Sequence, residues 1–467
     1  MSDWLTTLLA FSCFNCYRFF HMMKGDDLGD LLRYLLSSKL VAEALFVPVG
    51  LLGIYWLSGY YNRPLERSRL QEMLTTFWTA LVSALLLYLA ALTNDQLMMR
   101  RENWLLIIVL FLLLFSCTYT GRLLITNRML RRFRERKMLI RTIVVGPPDA
   151  ALAEALRLRD RQNVSGMDIV GIFSTDCREE DRSAPLPLDG LLFIDDFRML
   201  RDMSAEGKVD QVIIVPGNTP DKEKKILSLL HRLFPLEIAI RIKPDMLSYL
   251  TPTIRMQDIK GEPLVDITSP VASECTKNIK RSFDVLASAL ALLLLSPLLA
   301  ALAMAVRRSS PGAAIYWQER IGLHGQPFRI YKFRTMRTDA EACGPQLSSD
   351  DDPRITAVGK KLRKYRLDEL PQFWNVLKGD MSLVGPRPER SFFIEKIMKV
   401  APWYSLVHQV RPGITSWGMV KYGYASSVEE MVERNRYDLV YLFNMSIAVD
   451  LKIMIYTVRT VVTGKGV

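Results

Sequence analysis

The chain has 467 residues, a formal net charge of +12, 49% hydrophobic residues and 6 cysteines. That much apolar content excludes a disordered chain, cysteine this sparse excludes a disulfide-stapled scaffold, and the length fits about three ordinary domains. Mean hydropathy is +0.11 although 24% of residues are charged, so the apolar residues must be concentrated, and the excess base points to an anionic partner: lipid headgroups, nucleic acid or phosphorylated substrates.

Four long uncharged runs stand out: Ala44 to Tyr61, Met73 to Asn94, Asn103 to Gly121 and Val285 to Val306. Each is long enough, or nearly so, to cross about 30 Å of hydrocarbon as a helix. A weaker run, Trp4 to Tyr17, reads as a retained first transmembrane helix. The alternative is a cleavable signal peptide, but a basic start and a small-residue cleavage site are missing. Cys13 and Cys16 lie inside it without a nearby His, so no metal site is expected there. From Arg122 to Arg141 the basic residues are Arg122, Arg128, Arg131, Arg132, Arg134, Arg136, Lys137 and Arg141, against Glu135 alone. The positive-inside rule places that segment in the cytoplasm. Counting back, the loop of Arg63, Arg67 and Arg69 and the N-terminus fall on the same side. Directly after a membrane helix, such a run suits anionic lipid better than nucleic acid.

The middle segment alternates short apolar strands with amphipathic helices. Strands are predicted at Thr142 to Gly146, Asp168 to Phe173, Val209 to Val215 and Leu236 to Ile242, with helices at Ala150 to Leu158 and Asp221 to Phe234. This pattern predicts a doubly wound parallel α/β domain. After the first strand comes Gly146-Pro147-Pro148-Asp149. Only one glycine of a dinucleotide fingerprint is present, two prolines remove N–H donors, and Asp149 stands where a pyrophosphate would sit. A structural or regulatory module is expected, without NAD.

The last third carries the unusual residues. The fourth apolar run is flanked by Lys280-Arg281 and Arg307-Arg308, and Ser296-Pro297 lies at its middle. Proline there deletes a helical hydrogen bond and clashes with the Leu293 carbonyl, so the helix should break. Basic residues at both ends suit a re-entrant hairpin; a kinked spanning helix is the alternative. Further on, Lys360, Lys361, Arg363, Lys364 and Arg366 precede the pair Asp368-Glu369. Cations there stabilise carboxylates and attract phosphate, and adjacent acids can divide metal binding from nucleophilic attack. A plain helix N-cap is the competing reading of the acid pair. Arg387, between Pro386 and Pro388, reads either as a turn or as a phosphate or uridine contact. His231, His324 and His408 lack ligand spacing, and Cys275 and Cys343 read as incidental.

About 190 residues of this region resemble the bacterial sugar transferases, the monotopic phosphoglycosyl transferases. The resemblance rests on Lys280-Arg281-x-Phe283-Asp284, Ser296-Pro297, Tyr331 to Met336, Leu367-Asp368-Glu369-Leu370-Pro371, Val384 to Pro388, Val410 to Ile414 and Asp450-Leu451-Lys452. Ser416 before Trp417 departs from the family's usual glycine and is expected to touch a turn, not the chemistry. With the apolar N-terminal half, the whole chain resembles the large branch that initiates polysaccharides. The resemblance implies an α plus α/β membrane protein. Its parts would be a four-helix transmembrane bundle (1–125), a Rossmann-like cytoplasmic domain (126–270) and a catalytic domain (271–467) with a re-entrant helix hairpin at 282–306. It implies transfer of a sugar phosphate from a UDP-sugar to polyprenyl phosphate, releasing UMP. Asp368 would be the nucleophile and Glu369 the Mg²⁺ ligand. Arg363, Arg387, Lys332 and Arg334 would hold substrate phosphate. Lys280 and Arg281 would be interfacial anchors, with the hairpin broken at Ser296 and Pro297. Implied partners are UDP-sugar, polyprenyl phosphate and membrane lipid, with no nucleic acid; a homodimer stays open. The implied location is the bacterial inner membrane, multi-pass, with the catalytic domain in the cytoplasm. Two rivals are a membrane-anchored nucleotide-sugar dehydratase or epimerase and a non-catalytic assembly scaffold. The former needs an intact glycine fingerprint and a Tyr-x-x-x-Lys pair, and no Tyr here has Lys four residues on.

Overall fold

A computed structural model describes residues 2–22, 27–62, 69–94, 101–134, 139–160, 166–174, 191–194, 196–217, 221–243, 264–266, 272–338, 340 and 352–462. Arg63, Arg67, Glu135, Arg136, Lys137 and Cys343 lie outside the described residues. The chain forms two compact units, one built on Met1–Leu139 and one on the residues from Ile140 onward.

The first unit is helical: α1 (Ser2–Met22), α2 (Leu28–Leu35), α3 (Ser38–Leu57), α4 (Arg69–Asn94) and α5 (Arg101–Arg134). Among the described residues α3, α4 and α5 are the helices long and apolar enough to cross a membrane singly. They share a core with α1: Ala10, Leu51, Tyr55, Ala80, Ala84, Leu110 and Leu114. Alanines at the contact let helices approach closely. Large apolar side chains such as Phe46, Trp78 and Ile108 point outward instead, which is the inverse of a soluble bundle.

One end of this unit is tied by a buried polar network. Arg122 is only 1% exposed. Its guanidinium pairs with Asp3 at 2.8 Å, donates to Thr76 Oγ1 at 2.8 Å and lies 3.5 Å from the Tyr60 ring centre. Tyr61 donates to Asp3, and Tyr60 and Thr126 donate to Glu72. The start of α1, the end of α3, the start of α4 and the last third of α5 therefore share one level. That agrees with the side-by-side placement expected from the basic residues. Arg122 itself, however, is a buried partner of Asp3 and not an exposed member of the basic run.

The second unit contains a six-stranded sheet of β1 (Ile140–Gly146), β2 (Met167–Ser174), β3 (Leu192–Ile194), β4 (Gln211–Ile214), β5 (Ala239–Ile242) and β6 (Val265–Asp266), in the order β3-β2-β1-β4-β5-β6. All neighbours are parallel except β5 with β6. This is the doubly wound arrangement. Helices α6 (Pro148–Asp160), α7 (Phe197–Ala205) and α8 (Lys222–Leu233) cover it. Side chains along β1 alternate between faces. Ile143 and Val145 pack with Leu200 and Leu230 on one side, and Val144 packs with Ala151 and Leu158 on the other. At the β1–β4 switch point the Pro147 ring presses on Gly217, and the remaining cavity is about 20 Å³.

The rest of this unit contains α9 (Glu274–Leu294), α10 (Ser296–Ser309), a hairpin of β7 (Ile315–Ile321) and β8 (Pro327–Phe333), α11 (Ala357–Lys364), α12 (Gln372–Lys378), β9 (Ser382–Val384), α13 (Ser391–Val400), β10 (Gly413–Thr415), α14 (Trp417–Lys421), α15 (Val428–Phe443) and α16 (Ile447–Val462). Helices α9 and α10 meet at Leu295 with a bend of 64°. Pro297 opens α10, and the Ser296 hydroxyl donates to the Leu293 carbonyl at 2.8 Å, the group that the proline leaves without a partner. Two side chains expected at the lipid headgroups turn inward instead. Lys280 pairs with Asp450 at 2.6 Å and donates to the Val384 carbonyl, and Arg281 donates to the carbonyls of Val376 and Leu377 at the end of α12. Their charged ends are matched inside the protein. Arg307 and Arg308 remain exposed. Asp284 accepts from Ser382 Oγ at 2.6 Å and Leu383 N at 3.3 Å, fixing α9 to β9.

The sheet and the C-terminal segment touch along α8. The Pro235 carbonyl accepts from Gln326 in the hairpin turn at 2.9 Å, and Leu406 packs on the sheet's core. His408 is buried there, edge-on to Tyr404. Burial, with His231 nearby, pulls its pKa down to about 3.

Candidate active site

The acid pair sits where one helix ends and another begins. Thr356 caps α11 by accepting from Gly359 N at 2.9 Å. Two residues past the end of the helix, Arg366 has a φ of 52°, in the left-handed region that non-glycine residues avoid. That reversal turns Leu367–Glu369 inward as a single tight turn, with Asp368 and Glu369 both 9% exposed. Neither acid caps α12: its N-cap is Pro371, without a side-chain bond. The plain capping explanation of the pair therefore fails.

Three cations converge on Glu369. Lys332 Nζ is 2.9 Å from Oε1, Arg387 NH1 is 3.6 Å from Oε1, and Arg366 NH1 is 3.7 Å from Oε2. Each is placed by its own backbone device. Asn375 supplies a substitute strand edge to β8, accepting from Tyr331 N and donating to the Arg329 carbonyl, so Lys332 faces the acid turn. Arg387 follows β9, which pairs in parallel with β10. At Gly385 and Gly413 the two backbones approach so closely that a Cβ on either would collide with main-chain atoms of the other loop. The Arg387 N–H is also held by Asp438 at 3.4 Å.

Burial raises the pKa of Asp368, and the neighbouring Glu369 charge adds to this; Lys332 and Arg363 oppose it. Glu369 behaves differently. Burial would raise it, but Lys332, Arg387 and Arg366 outweigh that and hold it well below the usual carboxylate range. Two adjacent acids are thus pushed apart, one firmly ionised and one with a poorly stabilised charge, as expected where two roles are divided.

The pair opens into a cavity of about 430 Å³. Nine arginines and Lys332 line it against three carboxylates, Asp368, Glu369 and Glu389. Such a surplus suits a polyanion of diphosphate size. Of the five cations preceding the acid pair, Arg363 and Arg366 reach the cavity, while Lys360, Lys361 and Lys364 are exposed. Arg363 donates to Thr335 Oγ1 at 3.0 Å. Arg334 also lines the cavity, but its terminal nitrogens are engaged by the carbonyls of Pro311 and Ser310, so it braces the chain after α10. Sequence reasoning missed a buried group behind the wall: Glu389 bridges Arg320 at 3.2 Å and Arg434 at 2.5 Å. It also gave Arg366 no role of its own, although an arginine closing a cationic helix before an acid pair was the available signal. Ser416 caps α14 by accepting from Met419 N at 3.0 Å, so the departure from glycine falls at a helix start and not in a turn.

Comparison with known proteins assigns this arrangement. Residues 275–464 match the family model of the bacterial sugar transferases, and residues 57–244 match that of a CoA-binding domain. A UDP-glucose:undecaprenyl-phosphate glucose-1-phosphate transferase of Caulobacter vibrioides is 41% identical over 186 residues, which are 39% of this chain and 70% of that protein. The chain belongs to the bacterial sugar transferases. A UDP-N-acetylgalactosamine-undecaprenyl-phosphate N-acetylgalactosaminephosphotransferase of Aeromonas hydrophila is 46% identical over 188 residues, 40% of this chain and 44% of the relative. A UDP-glucose:undecaprenyl-phosphate glucose-1-phosphate transferase of Escherichia coli (strain K12) is 36% identical over 236 residues, 50% of this chain and 51% of the relative. The matched segment thus spans about half the length of these two curated sugar transferases.

Proposed function

We propose that this sugar transferase passes a sugar-1-phosphate from a UDP-sugar to polyprenyl (undecaprenyl) phosphate, releasing UMP and forming polyprenyl-diphosphate-sugar. This would be the first membrane step of exopolysaccharide, capsule or O-antigen synthesis. The observation that carries the reading is an inward-facing Asp368 beside a triply compensated Glu369 in a cation-lined cavity. The relatives' names supply the substrates. In a three-part chain, 1–125 would be a membrane bundle, 126–270 a cytoplasmic α/β domain and 271–467 the catalytic domain.

The chemistry follows from charge. A nucleotide diphosphate repels a carboxylate unless its charge is offset. Arg387, Arg363 and Lys332 offset it and stabilise the charge that develops in the transition state. An ionised Asp368 oxygen attacks the sugar-bearing phosphorus. An O–P bond forms to the carboxylate, the diphosphate O–P bond breaks, and UMP leaves with the electron pair. An oxygen of polyprenyl phosphate then attacks the same phosphorus and returns Asp368 as a carboxylate. The bond to the anomeric carbon never breaks, so its configuration is kept. Among the described residues there is no cluster of three or more metal-ligating side chains. Mg²⁺ that arrives with a diphosphate needs only one or two carboxylates, and the acid pair fits that donor set. Glu369, kept ionised, would hold Mg²⁺, which would supply further neutralisation of the diphosphate.

The 64° break divides the apolar run Val285 to Val306 into halves of about eleven residues, each reaching about one leaflet, and this supports reading α9 and α10 as a hairpin that would enter and leave by the cytoplasmic face of the inner membrane. That keeps the cavity at the headgroup level, on the side where UDP-sugars are found. A dehydratase or epimerase would need a dinucleotide at the β1–β4 corner, where about 20 Å³ is available.

The test is UMP release from a panel of UDP-sugars with polyprenyl phosphate. The purified chain should release UMP with at least one of them. Asp368→Asn should fold normally and lose activity by several orders of magnitude. Near-normal turnover by a folded Asp368→Asn protein would remove Asp368 from the reaction.

A further inference from the structure

The walls of the cavity are not uniform. One part, Ala313, Ile315 and Tyr316, lies shortly after α10, and its Ile315 and Tyr316 are exposed. Another holds the acid pair and its cations. Phe393, Met419, Tyr424, Ala425 and Met431 form a further, apolar corner of the lining. All but Tyr424 are buried, and Phe393, Ala425 and Met431 belong to one apolar cluster. Tyr424 stands on the loop between α14 and α15, just after Gly423, whose φ of 99° lets the loop turn back over the cavity. Its hydroxyl is within electrostatic reach of both Arg387 and Arg320. Arg387 also contacts Glu369 at 3.6 Å, so it neighbours both the acid pair and Tyr424.

We propose that this corner seats the uracil ring of the UDP-sugar, with Tyr424 as its stacking surface. The inference rests on the transfer reading above and adds where the nucleoside lies. The phosphorus attacked by Asp368 keeps its sugar, and the leaving UMP extends away from the carboxylate past Arg387. A pyranose ring carries hydroxyls that need hydrogen-bond partners when buried, and Phe393, Met419, Ala425 and Met431 offer none from their side chains beyond a weak thioether. A uracil ring has two flat faces that suit an aromatic ring and polarisable methionines, and its polar edge of two carbonyls and one N–H can be met by Arg320, Arg387 and Glu389, which line the same cavity. The lipid phosphate then approaches by the lining that follows α10, so the two substrates use different parts of the wall.

The test compares inhibition of the full-length enzyme by UMP and by inorganic pyrophosphate, for the parent and for Tyr424→Ala. Loss of a stacking ring should weaken UMP about tenfold or more, raise KM for the UDP-sugar alongside, and leave pyrophosphate within about twofold. Tyr424→Phe, which keeps the ring, should recover most of the UMP affinity. Direct calorimetric binding of UMP to both variants reports the same contrast without turnover. Unchanged UMP affinity in Tyr424→Ala, equal weakening of UMP and pyrophosphate, or a rise confined to KM for polyprenyl phosphate would each overturn the seat. If the parent enzyme releases no UMP from any UDP-sugar, the transfer reading falls and the seat with it. If the parent is active and Tyr424→Ala matches it, the seat alone falls.

Discussion

Replacing Lys332 with methionine removes one of three cations from a buried carboxylate while keeping most of the side chain's volume. Lys332 is the nearest of the three, at 2.9 Å from Glu369. With an effective dielectric constant near 20, a unit pair at that distance is worth about 6 kcal/mol before desolvation, against about 4–5 for each of the arginines at 3.6 and 3.7 Å. Breaking a buried pair outright costs about 3–5 kcal/mol, but Glu369 keeps two partners, so we expect about 2 kcal/mol of lost stability. The effect on rate should be larger. Lys332 also lowers the pKa of Asp368, so its removal leaves less ionised nucleophile and one cation fewer facing the diphosphate. Loss of one preorganised charge partner costs about 10²–10³ in turnover. UMP release under saturating substrates measures this, with thermal unfolding run alongside. Lys332→Arg should recover part of the rate. A folded Lys332→Met enzyme working within about fivefold of the parent would show that the cluster around Glu369 is structural and not catalytic.

Two further outcomes are expected. In a cysteine-free background, single cysteines placed before Lys280 and after Arg308 should both resist a membrane-impermeant thiol reagent in intact cells, and Pro297→Ala should expose the second; labelling of the second site in the parent would rule out the hairpin. His408 gives a pH test. Folded His408 stays neutral down to about pH 3 while the unfolded side chain titrates near 6.5. The unfolded chain therefore binds more protons in that window, and stability falls as pH drops through it. Between neutrality and about pH 5 this site alone should cost about 2 kcal/mol. His408→Phe should flatten that part of the unfolding profile, and an unchanged profile would count against the burial of a neutral imidazole.

The sequence foretold those parts of the molecule that local chemistry decides. Strands β1, β2, β4 and β5 are short apolar runs between breakers, and all four formed within a few residues of their expected limits. Pro297 broke the apolar run at its middle for a reason local to the backbone. Strand β3 and helix α7 went unread, because a three-residue strand carries too little pattern to register. At the site, Asp368, Glu369, Lys332, Arg363 and Arg387 line one cavity. The errors were long-range. Lys280 beside a membrane-like run looks like a lipid anchor, yet its partner Asp450 is 170 positions away. Arg334 sits in a strong motif, yet its geometry is set by the carbonyls of Ser310 and Pro311. The Arg320–Glu389–Arg434 group needs three separate elements to pack before it exists, so no spacing along the chain could announce it.

The pair of Asp3 and Arg122 also has a meaning in time. The two residues are 119 positions apart and belong to the first and last long helices of the bundle. At about 5–20 residues per second of synthesis, Arg122 emerges about 6–24 s after Asp3. Throughout that interval the Asp3 carboxylate lacks the guanidinium that offsets its burial in the finished bundle. The pair that ties α1 to α5 can form only once the last helix of the bundle has been made.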